Sequence, residues 1–278
     1  LTSVKDKEAL ENNTYEAAIN FLALGMDPEK STFWVQHDVK EVLELYWLLS
    51  NHTSMGLLER AHSYKDKTTR GIQANHGLFS YPVLMAADIL LFDSNIVPVG
   101  KDQIQHVEMT RDIATSFNHA YGKEIFILPE AKVDEVVATV PGTDGAKMSK
   151  SYNNTIDMFG TAKTIKKQVM GIVTDSKELD EPKEWENCNI YTLSKLFMNE
   201  DELANLRSRY ATPGEGYGHF KMTLLEKINA HFEPYAQKRE HYLNNPKEVK
   251  EILAFGASKA RKIASAKMEI IRDAVGLI

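Results

Sequence analysis

Ile96-Val97-Pro98-Val99-Gly100-Lys101-Asp102-Gln103-Ile104-Gln105-His106 joins a short apolar run to a segment with helical spacing. Residues 96–100 read as a buried strand and 102–121 as a helix. Gly100 lets a ligand approach the backbone closely. Asp102 is a good N-cap, with Gln105 where a capping box wants it. The start of such a helix offers free N–H groups and the positive end of its dipole. In an open parallel sheet, ligands bind at the carboxyl ends of strands, and this junction is such a place. An ordinary capped helix is the plainer reading of the same letters. His106 and His119 read as packing or surface histidines, and no His/Asp/Glu group has zinc spacing.

Outward from the junction, short apolar runs alternate with helices. Residues 32–36 and 125–129 read as further strands. Helices fit Lys5–Leu24 (stopped by Gly25), a segment capped by Asp38 and running through Leu49, Ser54–His62, and Val83–Phe92 opened by Tyr81-Pro82. This alternation predicts a parallel α/β sheet of Rossmann type. After Lys147 strand-like runs almost disappear. Helices fit Thr161–Ile172, Tyr191–Met198, Glu200–Arg209, Tyr217–Asn244 and Pro246–Val275. A domain boundary is expected near Ser151, and the acidic stretch 175–189, with Pro182, reads as a connection.

Composition narrows the class. The 278 residues are 43% hydrophobic, enough for one large or two smaller domains. A lone cysteine, Cys188, excludes a disulfide framework and fits a reducing, cytoplasmic setting. No apolar run of membrane-spanning length occurs. Leu1-Thr2-Ser3-Val4 is neither a signal peptide nor a starting methionine. A net charge of −6 argues against non-specific coating of nucleic acid, but leaves room for a local basic patch.

Three further stretches carry chemistry. Ala146-Lys147-Met148-Ser149-Lys150-Ser151 follows the turn-rich Pro141-Gly142-Thr143-Asp144-Gly145. Two lysines with hydroxyls between them suit a polyanion such as triphosphate, or else form a solvated surface loop. Tyr64-Lys65-Asp66-Lys67-Thr68-Thr69-Arg70-Gly71 is a basic loop, either solvated or a phosphate contact. The third is Asp88, alone in the apolar run 81–92. Tyr81, Leu84, Met85, Asp88 and Leu91 share one helical face. A buried carboxylate must be hydrogen-bonded or paired. Asp88 is therefore a structural group, or the floor of a pocket for an aromatic ligand with one N–H donor.

Tyr-Pro-Val-Leu-Met-Ala-Ala-Asp-Ile-Leu-Leu (81–91), Val-Pro-Val-Gly-Lys-Asp-Gln-Ile-Gln-His (97–106), Thr110-Arg111-Asp112 and Lys-Met-Ser-Lys-Ser (147–151) together resemble the bacterial tryptophanyl-tRNA synthetases, within the class I aminoacyl-tRNA synthetases. The likeness covers essentially every residue. It implies that Asp88 accepts the indole N–H and that Tyr81, Met85 and Gln103 line the tryptophan site. Gly100, Lys101 and Asp102 would lie against ATP. Lys147, Met148, Ser149, Lys150 and Ser151 would close over its phosphates, with Lys147, Ser149 and Lys150 acting in catalysis and Mg²⁺ sharing the charge. Lys65 and Lys67 match a basic segment near the same phosphates, and Ala138 is the expected adenine-side contact. The family usually has an acidic residue where Lys101 stands. It also begins with a strand and a His-Ile-Gly-His-like turn that no stretch here matches, so Leu1 is expected to follow the second strand of the nucleotide-binding fold.

By the same resemblance, residues 1–150 form a Rossmann-type catalytic domain and 151–252 a helical anticodon-binding domain, with a last helix, about 253–278, packing back on the first. The reaction implied is activation of L-tryptophan by ATP, then transfer to tRNA(Trp). Lys259, Arg261, Lys262, Lys267 and Arg272 read as a tRNA contact or a solvated helix face. A homodimer is implied, with Val42–Leu58 as its interface. Tyrosyl-tRNA synthetase and a non-catalytic relative are the alternatives, and the Met-Ala-Ala-Asp string weighs against the first.

Overall fold

The computed structural model describes residues 4–61, 64, 75–133, 140–149 and 152–277. It divides into two compact units, Leu1–Val136 with Tyr242–Ile278, and Val137–His241.

In the first unit, α1 (Lys7–Ala23) starts where the Asp6 carboxylate accepts the N–H of Ala9 at 2.7 Å. Its buried residues Ala18, Ile19 and Leu22 meet Val249 and Leu253 of α10 (Pro246–Val275). Next come α2 (Glu41–Ser50) and α3 (Met55–Glu59), the latter capped by Ser54. Asp38 lies in a 3₁₀ turn, Gln36–Asp38, and Lys40 is the N-cap residue of α2. Helix α4 (His76–Leu90) begins earlier than Tyr81-Pro82 suggests. Asn75 accepts the N–H of Leu78 at 2.8 Å and Pro82 falls inside the helix. The apolar face of α4 outweighs the backbone bond that proline removes.

Strand β1 (Ile96–Pro98) pairs in parallel with β2 (Glu130–Lys132), Val97 opposite Ala131, with α5 (Ile104–Tyr121) as the crossover. Gly122, at φ 62°, ends α5 in the left-handed conformation. Two expected strands differ from the structure. Residues 125–129 are irregular, because Asn118 supplies the bonds a ladder would. Its side-chain oxygen accepts the N–H groups of Ile125 and Phe126 at 3.0 and 2.9 Å, and its amide donates to the carbonyl of Phe126. Residues 32–35 form no strand, and among the described residues no ladder partner lies beside them. Nor is β1 fully buried, since Ile96 is 58% exposed.

The core of this unit joins Val42, Leu45 and Leu49 of α2, Val83, Ala86 and Leu90 of α4, Ile113 and Phe117 of α5, and Ala260, Ala264 and Met268 of α10. Two of the basic residues read as a tRNA contact are committed to this seam. Lys267 is buried and donates to Asp93 and to the carbonyl of Ile125, each at 2.6 Å. Arg272 pairs with Glu44 at 2.8 Å.

The second unit is helical, with α6 (Ala162–Met170), α7 (Asn189–Ser194), α8 (Glu200–Ala211) and most of α9 (Tyr217–Asn244). A capping box between Asn199 and Glu202 opens α8. Tyr210 stacks on Phe220 at 4.0 Å in a core with Ile165, Val169, Tyr191, Leu206 and Leu224. Val140 and Met148 pack against that core. The loop at Lys147 therefore belongs to this unit, and the contact boundary lies at Val136/Val137, earlier than Ser151.

Gly256 of α10 lies against the backbone of Phe33, and a methyl group there would run into the Phe33 carbonyl. Gly256→Ala is expected to destabilise by about 1–3 kcal/mol through overpacking. Calorimetry would show a melting temperature lower by several degrees, at roughly 2–4 °C per kcal/mol.

Candidate active site

Helix α4 has two faces. Pro82, Val83, Ala86, Ala87, Leu90 and the capping Leu91 are buried, whereas Tyr81, Leu84, Met85 and Asp88 are half-buried. Leu91 thus leaves the face expected for it, and the other four remain together. The carboxylate of Asp88 accepts the side-chain N–H of Gln36 at 2.6 Å. Burial pushes its pKa from the ordinary 3.8 up to about 6, and the Gln36 hydrogen bond opposes that rise. Among the described residues no cation pairs with it. A structural carboxylate in such a place is normally tied to arginine, lysine or several backbone N–H groups. One neutral amide leaves most of its accepting capacity for a ligand.

Seven residues before Asp88, the Tyr81 hydroxyl lies 2.6 Å from Nε2 of His106, with ring centroids 5.4 Å apart. His106 is buried on α5, one turn beyond Gln103. It reads from sequence as an ordinary packing residue, yet it links the open face of α4 to the junction.

At the junction, Lys101–Gln103 form a 3₁₀ turn and Gln103 is the N-cap residue of α5. Asp102 does not cap the helix. Its carboxylate accepts the side-chain N–H of Gln103 at 3.0 Å, and Gln105 donates to the carbonyl of Arg60 at 3.2 Å in place of a capping box. Gly100, Lys101 and Asp102 are exposed, and a Cβ at Gly100 would come within 2.8 Å of Asp102 Oδ1. The junction is an open, polar helix start.

In the second unit, Pro141 bridges Lys147 antiparallel, and the N–H of Met148 donates to the carbonyl of Val140 at 2.9 Å. The turn between them is fastened by Asn154, which is 2% exposed. Asn154 accepts the N–H of Ser149 at 2.8 Å and donates to Asp144 at 2.7 Å and to the carbonyl of Lys147 at 3.1 Å. Its amide hydrogen bond holds the Asp144 carboxyl below the usual range. A Cβ on Gly142 would collide with the Asn154 side chain. Gly145 is at φ 84°, and a Cβ there would come within 2.8 Å of Asn189 Oδ1. The backbone of this loop is thus over-determined, whereas the Lys147 side chain is exposed. Sequence reasoning missed Asn154. The only signal was the turn-forming pair Asn153-Asn154, of which Asn153 is left-handed at φ 55°.

Among the expected site residues, Tyr81, Met85, Asp88, Gly100, Lys101, Asp102 and Gln103 fall in the first unit, and Lys147, Met148 and Ser149 in the second. Lys65, Lys67, Ala138, Lys150 and Ser151 lie outside the described residues. Among the described residues, no three His, Cys, Asp or Glu side chains converge as metal ligands, and no helix is long and apolar enough to cross a membrane.

Residues 2–233 match the family model of class I tRNA synthetases (W and Y). The chain is 61% identical to the tryptophan–tRNA ligase of Campylobacter jejuni over 277 residues, covering 100% of this chain and 86% of that protein. It is 53% identical to the corresponding ligase of Fusobacterium nucleatum over 278 residues, 85% of that protein. The crystal structure of the Campylobacter jejuni tryptophanyl-tRNA synthetase complexed with ADP and tryptophan superimposes with a TM-score of 0.95, over 99% of this chain and 86% of that one. The chain therefore belongs to the tryptophanyl-tRNA synthetases of the class I tRNA synthetase family.

Proposed function

We propose that this chain activates L-tryptophan with ATP and transfers it to tRNA(Trp), with Asp88 as the residue that selects the amino acid. The observation that supports this best is a carboxylate held by one neutral amide on the half-open face of α4 that also carries Tyr81 and Met85. An indole N–H is the donor such an acceptor lacks. Tyr81, Met85 and Gln103 serve as the rest of the tryptophan site.

In the first step the tryptophan carboxylate attacks the α-phosphorus of ATP. The bond from that phosphorus to the bridging oxygen breaks, and pyrophosphate leaves with the electron pair. In the second step a hydroxyl of the terminal ribose of tRNA attacks the activated carbonyl and AMP departs. Neither step asks much of acid–base groups. Positioning and neutralisation of developing phosphate charge carry the rate. Lys147 and Lys150 serve as point charges toward the phosphates, with Ser149 and Ser151 as hydrogen-bonding groups and Met148 anchoring the loop by its packing. Gly100, Lys101 and Asp102 lie along the nucleotide, with Lys67 and Ala138 as further contacts. Mg²⁺ bound with ATP would supply counter-charge to the phosphates.

The catalytic work belongs to the Rossmann-type domain and anticodon binding to the helical one. The setting is the cytoplasm, and the enzyme is a homodimer. Leu43, Trp47 and Met55 support the last point, being 62%, 66% and 64% exposed within the Val42–Leu58 segment.

Pyrophosphate exchange driven by each amino acid tests this reading in the full-length protein. Tryptophan should be the amino acid that supports it. Asp88→Asn keeps the volume but weakens the acceptor. It should lower kcat/KM for tryptophan at least about tenfold and narrow discrimination against phenylalanine, with ATP affinity and melting temperature little changed. In the unsubstituted protein, kcat/KM for tryptophan should fall as pH drops through about 6, where Asp88 gains its proton. Lys150→Ala should lower kcat about 10²–10³-fold with little change in tryptophan binding. Asn154→Ala frees the loop that carries Lys147 and should reduce kcat while leaving tryptophan KM in place, which steady-state kinetics would show.

A further inference from the structure

We propose that Gln36 is a positioning residue for tryptophan selection: its side-chain amide holds one oxygen of Asp88 and leaves the other aimed at the ligand. This rests on the role proposed above for Asp88.

The geometry starts from the turn that carries Gln36. The N–H of Asp38 donates to the carbonyl of Val35 at 2.9 Å, and that of Val39 to the carbonyl of Gln36 at 3.1 Å. Val39 is 1% exposed and anchors the turn in the core. The backbone of Gln36 is therefore set by the fold, and its amide reaches Oδ2 of Asp88, 52 residues away in sequence, at 2.6 Å. Gln36 also borders a cavity of about 760 Å³ with Tyr15, Val35 and Leu253. The side chain is thus not wedged into close packing, and its defined contact is Asp88.

The choice of an amide has a chemical consequence. Arginine would engage both carboxylate oxygens in a fork and neutralise the charge. Either effect would blunt recognition of a single N–H. The Gln36 amide gives Asp88 a single hydrogen bond and adds no charge. It fixes the rotamer of Asp88 and favours the ionised form, while the remaining lone pairs stay available. The titratable groups on the neighbouring elements have other partners. His37 pairs with Asp38 at 3.4 Å and the Tyr81 hydroxyl with His106 at 2.6 Å, while Asp102 accepts from Gln103 at 3.0 Å. Among the described residues, the Gln36 hydrogen bond is what opposes the rise that burial gives the Asp88 pKa.

The test is tryptophan-dependent pyrophosphate exchange by the full-length protein between pH 6 and 9, for Gln36→Met, Gln36→Asn, Asp88→Asn and the Gln36→Met/Asp88→Asn double variant. Gln36→Met should raise KM for tryptophan about tenfold and leave KM for ATP within about twofold. Removing the amide donor raises the carboxyl pKa further, so the acid limb should move to higher pH and much of the loss should return by pH 9. Gln36→Asn, which keeps the donor on a shorter arm, should lose less. The double variant should be no worse than Asp88→Asn. If Asp88→Asn loses tryptophan selectivity but Gln36→Met does not change KM or its pH profile, the inference about Gln36 fails and the role of Asp88 stands. Losses that multiply in the double variant would also overturn it, because Gln36 would then act elsewhere. If Asp88→Asn itself leaves selectivity untouched, the reading of Asp88 falls and this inference with it.

Discussion

Keeping Asp88 ionised on a helix with one dry face costs on the order of 2–3 kcal/mol at neutral pH, given a carboxyl pushed from 3.8 to about 6. The sign follows from linkage. The folded protein holds this proton more tightly than the unfolded chain, so the cost is present in full above pH 6 and fades as pH falls toward 4. A packed methyl group in its place would remove the cost. The fold tolerates it because the opposite face of α4 buries Val83, Ala86, Ala87, Leu90 and Leu91 against α2, α5 and α10. Burial of each large apolar side chain contributes about 1.5–3 kcal/mol. The open face can then be left under-satisfied, which is what a recognition site requires.

The same constraint explains why α4 runs through Pro82. Starting at His76 places Tyr81, Met85 and Asp88 on one line along the helix, with Tyr81 against His106 and Asp88 against Gln36. A helix starting at Val83 would leave Tyr81 outside it. The backbone bond lost at Pro82 is local, whereas the alignment it permits runs along the whole half-buried face.

What could be read from sequence and what could not divides along contact range. Helices α9 and α10 were legible to the residue, because Asn244, Asn245 and Pro246 break one apolar pattern and start another. Asp88 stood out because a carboxylate in an apolar run violates a local rule. The strand expected at 125–129 failed because Asn118, on the preceding helix, satisfies that backbone by a side chain. Lys267 and Arg272 read as surface cations because their carboxylate partners, Asp93 and Glu44, lie 174 and 228 residues away. Gln36 and Asn154 were missed for a related reason, as was the bond from His106 to Tyr81. Each is an unremarkable polar residue whose importance rests on a partner that periodicity cannot show.

The two units handle polarity in opposite ways, and on the function proposed above each way suits its part of the reaction. Around Asp88 an acceptor is left short of donors, so on the role proposed for it an N–H that arrives with tryptophan gains more than tyrosine or phenylalanine could. Around Lys147 the backbone is held from several directions by Asn154, while the lysine side chain extends from it into solvent. Recognition of a ground state needs the functional atom itself fixed, as Gln36 fixes the carboxylate. Stabilising charge that appears only as pyrophosphate departs needs a fixed base with a charge that can follow the phosphates. A lysine on a fastened loop meets that second need. An arginine there would have more donors but a rigid fork, better matched to one static geometry than to a leaving group that moves.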